Sequence, residues 1–216
     1  MERRFLMKYL IYPLSLTNHN WESIPVAFVE HFPWKTSEYY PKTKAQLAYS
    51  KEGIHVRLES YESQIVALYE RLNDPVCKDS CMEFFFNPNP DHDDRYLNFE
   101  MNPIGTLHVG LGIGRHDRRH LDEVDPSVFQ IKTSVTKESL KDYQGPSWIL
   151  EYMIPFAWLE QYYGRIPFGE GHRMKGNFYK CGDKTIHPHF GCWNPVENLT
   201  PDFHRPEFFG ELIFHS

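Results

Sequence analysis

The chain has 216 residues, of which 29 are acidic and 23 basic, for a formal net charge of −6. The absence of a long basic run argues against a nucleic-acid backbone binder, and no apolar run reaches the ~18 residues of a membrane-spanning helix. Five alanines against 16 Phe, 13 Tyr, 5 Trp and 16 Pro exclude a helical bundle and favour short strands joined by turns.

The chain starts MERRFLMKYLIYP. Lys8 interrupts the apolar stretch and no small-residue cleavage site follows, so this start does not read as a secretory leader. The run MKYLIYP is predicted to be an edge strand. A cytoplasmic location is expected by default, with secretion the alternative if the start site lies elsewhere. Cys77, Cys81, Cys181 and Cys192 are too few for a disulfide framework and read as free thiols.

Ala45, Leu47 and Tyr49 alternate, and after a turn at Ser50–Gly53 so do Ile54, Val56 and Leu58, with His55, Arg57 and Glu59 between them. That pattern is a hairpin with one wet face. CMEFFFN (81–87) and YLNFEMN (96–102) form a second hairpin. Met82, Phe84, Phe86, Leu97, Phe99 and Met101 share its core face. Glu83, Asn98 and Glu100 share the other, beside Phe85 and Tyr96, and that face is expected to be wet. Further strands are predicted at 106–112, 129–135, 148–154, 175–181 and 208–214, and 112–126 is predicted to be a charged loop. Pro155 opens the one convincing helix, PFAWLEQYYG, and Gly164 closes it. About ten strands and one short helix, with no internal repeat or linker, suit one domain over 1–216. Its expected fold is all-β, a two-sheet antiparallel β-sandwich.

Carboxylates and amides beside aromatic rings suit sugars, whose hydroxyls need donors and acceptors and whose C–H faces stack on rings. Glu83, Asn98 and Glu100 are therefore the first candidate site. The aromatic C-terminal stretch 177–210 is the second, through Tyr179, Lys180, Trp193, Phe203, His204 and Arg205, because loops on a rigid scaffold carry binding groups. Three other readings compete. Cys181, His187, His189 and Cys192 could ligate zinc, although their spacing matches no common finger. Glu83 and Glu100 could act as a glycosidase pair. The glycine run 110–114 resembles a phosphate loop only superficially, since no helix pattern follows it.

The ordered runs KAQLAYSKEGIHVRL, KDSCMEFFFNP, YLNFEMNPIGTL, WILEYMIPF, NFYKCGD and FHRPEFFGELIF resemble the family 9 carbohydrate-binding modules. The similarity is greatest to the family-9-like domains that stand alone in bacterial proteins, and it covers roughly residues 40–214. It implies a jelly-roll sandwich related to DOMON-like domains. It also implies non-catalytic binding of an oligosaccharide, polysaccharide or sugar end in the company of glycoside hydrolases and carbohydrate catabolism, and structural calcium. The family clamps a sugar between two tryptophans and hydrogen-bonds it with Glu, Arg, Gln and Asn. Here Glu83 matches the Glu, Val76 stands at one clamp position and Phe203 at the other. Glu100 occupies the Arg position and Tyr179 approximately the Gln position. Trp193 or Trp34 is the expected substitute for the missing ring. The acidic loop of Asp91, Asp93 and Asp94 is the candidate for oxygen ligation of calcium. DOMON-like relatives also suggest haem held by Met and His. The expected ligand is thus a carbohydrate, with no nucleic acid and no membrane.

Overall fold

The computed structural model describes residues 6–14, 20–62 and 64–216; the basic start before Phe5 lies outside them. Thirteen strands and two helices follow in chain order: β1 (Lys8–Pro13), β2 (Ala27–Val29), β3 (Thr43–Tyr49), β4 (Gly53–Ser60), β5 (Cys81–Asn87), β6 (Tyr96–Met101), β7 (Leu107–Gly112), β8 (Arg118–His120), β9 (Lys132–Thr133), α1 (Lys137–Leu140), β10 (Trp148–Pro155), α2 (Phe156–Tyr163), β11 (Arg173–Cys181), β12 (Phe190–Cys192) and β13 (Gly210–Phe214). Hydrogen bonding runs in the order β8-β7-β6-β5-β11-β13-β1-β3-β4-β10-β9, with β12 on β11 and β2 on β3.

This path folds over as two facing layers, and β1 is the hinge between them. Lys8–Ile11 pair in parallel with β13, whereas Tyr12 and Pro13 pair in parallel with β3. The predicted edge strand is therefore a central one. The remaining pairings are antiparallel. A strand interrupted by one lysine can be central here because Lys8 lies at its very start and meets Glu211 at 3.1 Å on the exposed side.

The period-2 alternation sets which side chains face inward. Phe84, Phe86, Leu97, Phe99, Val109 and Phe178 from one layer pack with Leu47, Val56, Leu58, Leu150, Tyr152 and Ile154 from the other. Phe99 and Tyr152 stack across the gap with centroids 5.9 Å apart. The outward side of β3, β4 and β10 is the wet face of the first hairpin, where Arg57 pairs with Glu151.

Helix α2 forms as the sequence indicates. Pro155 caps it in extended geometry, and Gly164 ends it at φ +70° with its N–H on the Glu160 carbonyl. Its buried Trp158 and Leu159 close one end of the core. Residues 129–135 do not form the expected strand. Asp125 and Pro126 instead start a 3-10 turn, with the Asp125 side chain accepting from Ser127 N–H. That turn drives Phe129 into the core, edge-on to Phe99 and Trp158, and leaves only Lys132–Thr133 as strand. The charged loop 112–126 contains a strand, β8, because Gly110 and Gly112 let a backbone lie close over β7. A Cβ on Gly112 would sit 2.3 Å from the Asp117 carbonyl oxygen. Among the described residues no helix is long and apolar enough to cross a membrane.

Candidate functional site

The outer face of β5, β6 and β11 carries the polar residues singled out in the sequence. Glu83 lies directly opposite Glu100 across β5–β6 and opposite Tyr179 across β5–β11. This face is not wet. A second apolar cluster covers it, built from Trp34, Val76, Val196, Phe203, Phe208 and Phe209 above Cys81, Phe85, Tyr96, Tyr179 and Cys181. Glu83, Asn98 and Glu100 are left 2%, 0% and 6% exposed. The cover comes from the 3-10 turn Val76–Lys78 just before β5, and from the loop around Trp34 and the long segment 182–209, which are remote in sequence from the hairpin.

The cover is incomplete and leaves a cavity of about 250 Å³. Glu83, Phe85, Glu100 and Cys181 line it from the sheet. Cys77, Asp183, Phe190, Pro201, Asp202, Phe203 and His204 line it from the covering segments, and Arg115 from the β7–β8 loop. Phe203 is fixed by stacking on Tyr179 at 4.1 Å, and the Tyr179 hydroxyl donates to the Phe203 carbonyl oxygen. Arg115 is held by Asp202 at 2.7 Å. Asn98 donates to Glu100 at 2.8 Å and so orients that carboxylate.

The charges on this wall are set by burial. Burial, and after it the Glu100 charge, raises the Glu83 carboxyl well above the usual range. It accepts at 3.0 Å from the Cys181 thiol. Burial and Glu100 likewise push Asp183 up to about 6. His204 accepts at Nδ1 from both Tyr96 Oη and Arg118 Nη1, each at 2.8 Å. Arg118 can only donate, so the His204 proton resides on Nε2. Burial and Arg118 hold that ring neutral, with its pKa far below the ordinary value. Carboxyl groups, a guanidinium and an imidazole N–H therefore meet in one small space walled by Phe203, Phe190 and Phe85. That mixture of donors, acceptors and apolar rings is what a sugar ring engages.

Glu83, Glu100, Phe203 and His204 come together as the sequence suggested. Asn98 and Tyr179 stand directly behind the cavity wall. Lys180 and Trp193 do not belong to it. Lys180 alternates to the inter-sheet side of β11, where it is fully buried against Glu62 at 2.8 Å. Trp193 lies in the inter-sheet core beside Tyr9 and Phe178, over Gly210, where a Cβ would meet its ring at 2.6 Å.

The missing clamp ring is supplied by neither expected tryptophan. Trp34 packs behind Phe203 and Phe190, its indole N–H on the Asn198 carbonyl oxygen. Phe190 is the second ring at the cavity, but its centroid is 6.2 Å from that of Phe203 at 65°. A ring held between two others needs about 3.5–4.0 Å on each side. Phe190 and Phe203 touch edge to face, so they form one aromatic wall and not a clamp. Val76 is fully buried in the covering cluster.

The proposed metal sets fare differently from the cavity. Of the candidate calcium acids, Asp93 has both oxygens on the Arg95 guanidinium, while Asp91 and Asp94 are exposed. Cys181, His187, His189 and Cys192 do not converge. The His189 ring bonds Lys180 and the His187 carbonyl oxygen, and Cys192 Sγ turns to the His31 carbonyl oxygen. Of the methionines a haem reading could draw on, Met82, Met101 and Met174 are packed between the sheets. Arg115, Asp183 and Asp202 were not singled out in the sequence. Their sole signal was a charged loop and a polar-aromatic loop, 87 residues apart at the Arg115–Asp202 pair.

The family model for carbohydrate-binding family 9 matches residues 15–214. The chain belongs to carbohydrate-binding family 9. A family-9 domain of known structure from Caldicellulosiruptor kristjanssonii, in complex with glucose, superposes with a TM-score of 0.64 at 13% identity, over 97% of this chain and 96% of that one. The same kind of module with cellotriose gives 0.63 at 13% identity, over 97% and 94%. A candidate carbohydrate-binding protein from Bacteroides uniformis has greater similarity, with a TM-score of 0.82 and 27% identity over 98% of this chain and 100% of that one. No curated protein matches the chain significantly.

Proposed function

We propose that this family-9 domain binds a carbohydrate without cleaving it, and that one terminal sugar unit enters the cavity over Glu83 and Glu100. The observation that carries this reading is the pair of buried acids lying beneath the Phe203–Phe190 wall. Glu83 and Glu100 hydrogen-bond the sugar hydroxyls, and Arg115 donates from the rim. The Phe203 ring offers its free surface to the C–H side of the sugar. At about 250 Å³ the cavity falls below the roughly 300–1,000 Å³ of sites for drug-sized ligands. It therefore suits a single ring at the end of a chain, and not an internal stretch of polymer. Glucose and cellotriose, the ligands of the Caldicellulosiruptor modules, are the first compounds to try. A role beside glycoside hydrolysis, in carbohydrate catabolism, would follow from such end recognition.

Glycoside hydrolysis by Glu83 and Glu100 is the second reading, favoured by one carboxyl with a raised pKa and one oriented by Asn98. The geometry argues against it. The two residues are directly opposed on neighbouring strands, so both approach from the same wall. Hydrolysis needs two carboxyls flanking the scissile bond.

A thermal-shift screen against mono- and oligosaccharides tests the binding. A sugar at ten times its Kd adds about 1.4 kcal/mol by mass action, or roughly 3–6 °C for a chain of this size. A shift with one sugar class and no release of reducing sugar supports binding. Release that stops in Glu83→Gln or Glu100→Gln would replace it with catalysis.

A further inference from the structure

Glu83 has a second set of neighbours that sugar binding does not use. Cys81 and Cys181 are directly paired across β5 and β11, with Glu83 two residues along β5 on the same face. All three are buried, and their donor atoms lie within 4.8 Å of one another. Cys181 Sγ is already 3.0 Å from Glu83 Oε1. Three points so spaced fit inside a sphere of about 2.8 Å radius. Zinc holds sulfur at about 2.3 Å and carboxylate oxygen at about 2.0–2.2 Å. Small side-chain rotations on two rigid strands would bring all three atoms onto one ion.

We propose that Cys81, Cys181 and Glu83 form a binding site for a soft divalent cation, of which zinc is the biological example. Two thiolates and a carboxylate are a donor set that zinc accepts, and the fourth ligand comes from cavity water or from Cys77. Cys77 lines the same cavity, and its carbonyl oxygen is 3.6 Å from Cys181 Sγ. The thiolate pair selects against calcium and magnesium, which take oxygen ligands. Glu83 and Cys181 both face the cavity, so the ion has an entry path. Glu100 and Asp183, which line the same cavity, make that path attractive to a cation. On loading, both thiol protons and the Glu83 proton pass to solvent, and the ion replaces the Cys181–Glu83 hydrogen bond. The same three groups are otherwise an expense to the fold, since burial pushes the Cys81 thiol up to about 12 and raises those of Cys181 and Glu83.

The test is titration of the fully reduced full-length protein with Cd2+ alone, in the presence of a phosphine reductant and without sugar. The expected result is a thiolate-to-cadmium charge-transfer band that saturates at one ion per chain and is displaced by Zn2+. Cys81→Ser and Cys181→Ser should each abolish the band, and Glu83→Gln, which keeps both thiols and the side-chain shape, should weaken binding at least tenfold. Cys192→Ser should leave it intact, because that thiol faces His31. Near-UV circular dichroism establishes that each variant is folded. No band in the folded, reduced wild type overturns the proposal. So does a band that survives in folded Cys81→Ser and Cys181→Ser. Both outcomes are read without sugar, so a failed sugar screen has no bearing on them.

Discussion

Lys180 Nζ lies 2.8 Å from Glu62 Oε2, and neither side chain is more than 1% exposed. The pair sits between the sheets on the side of β11 opposite the cavity. Ser60, Ser80 and the Trp148 indole N–H donate to the same carboxylate. Lys180 also donates to the Cys181 carbonyl oxygen and to His189 Nε2. Burial alone would raise the Glu62 carboxyl, but the Lys180 charge and these donors outweigh it, and the net shift is downward. A buried pair satisfied this completely holds three segments in register: the strand end at Ser60–Glu62, β11 and the segment after His187.

Removing one member should leave the other charged and alone in the core. Lys180→Met is expected to destabilise the fold by about 3–5 kcal/mol. Lys180→Met with Glu62→Leu should recover much of that loss, because the uncompensated charge is gone. Equilibrium unfolding in urea reads both. If Lys180→Met costs less than about 1 kcal/mol, the pair does not hold the sheet as described.

The two most depressed histidines should lose their stabilising contribution on mild acidification, against an opposing gain at Glu83 and Asp183, whose carboxyls burial raises. Burial and the Lys180 charge hold His189 down to about 4, with Glu62, His187 and Tyr39 as its other neighbours. His204, faced by Arg118, Tyr96, Arg115 and His108, is also shifted downward. A histidine kept neutral in the fold takes up a proton in the unfolded chain below about pH 6.5, so the unfolded state binds more protons there. The histidine contribution therefore rises with pH across that window and is lost as pH falls. Between pH 7 and 5 that loss is expected to be about 2 kcal/mol for each such histidine. The stability difference between wild type and His189→Gln, read by urea unfolding at both pH values, isolates it from the carboxyls. The two imidazoles should show no NMR titration above pH 5.

The β7–β8 contact is a steric requirement. Gly112→Ala puts a Cβ 2.3 Å from the Asp117 carbonyl oxygen and 2.4 Å from Arg118 Cα. Backbone must move, at an expected cost of about 1–3 kcal/mol. Because β8 positions Arg118 against His204 and follows Arg115, sugar affinity should fall as well. Gly114→Ala, where a Cβ meets nothing within 4 Å, is the matched control and should do neither. A near-neutral Gly112→Ala in thermal unfolding would contradict the close approach.

Facing was legible in the sequence; cover was not. Strict alternation along CMEFFFN and YLNFEM put Glu83, Asn98 and Glu100 on one face, and the strands hold them there. Alternation reports which residues share a face, not what lies over it, and here the cover arrives from residues 31–40, 75–79 and 182–209. The same alternation in NFYKC already separates Tyr179 from Lys180. Reading 177–210 as loop hid that separation and assigned both to one site. Trp193 was misplaced because its position depends on Gly210, a contact between distant segments with no local signature. The alternation of Phe129, Ile131, Thr133 and Val135 imitated a strand where Asp125 and Pro126 start a 3-10 turn.

Calorimetric titration of glucose and cellotriose into the wild type, Glu100→Gln, Phe203→Leu and Trp193→Phe tests the central claim most directly. Glu100→Gln should weaken binding about 10- to 100-fold, the worth of a hydrogen bond to a charged group. Phe203→Leu should weaken it through lost stacking, and Trp193→Phe should leave affinity unchanged, because that ring lies in the inter-sheet core. Sugar binding that is indifferent to Glu100 and Phe203 but lost with Trp193 would place the ligand elsewhere and contradict the assignment of this cavity.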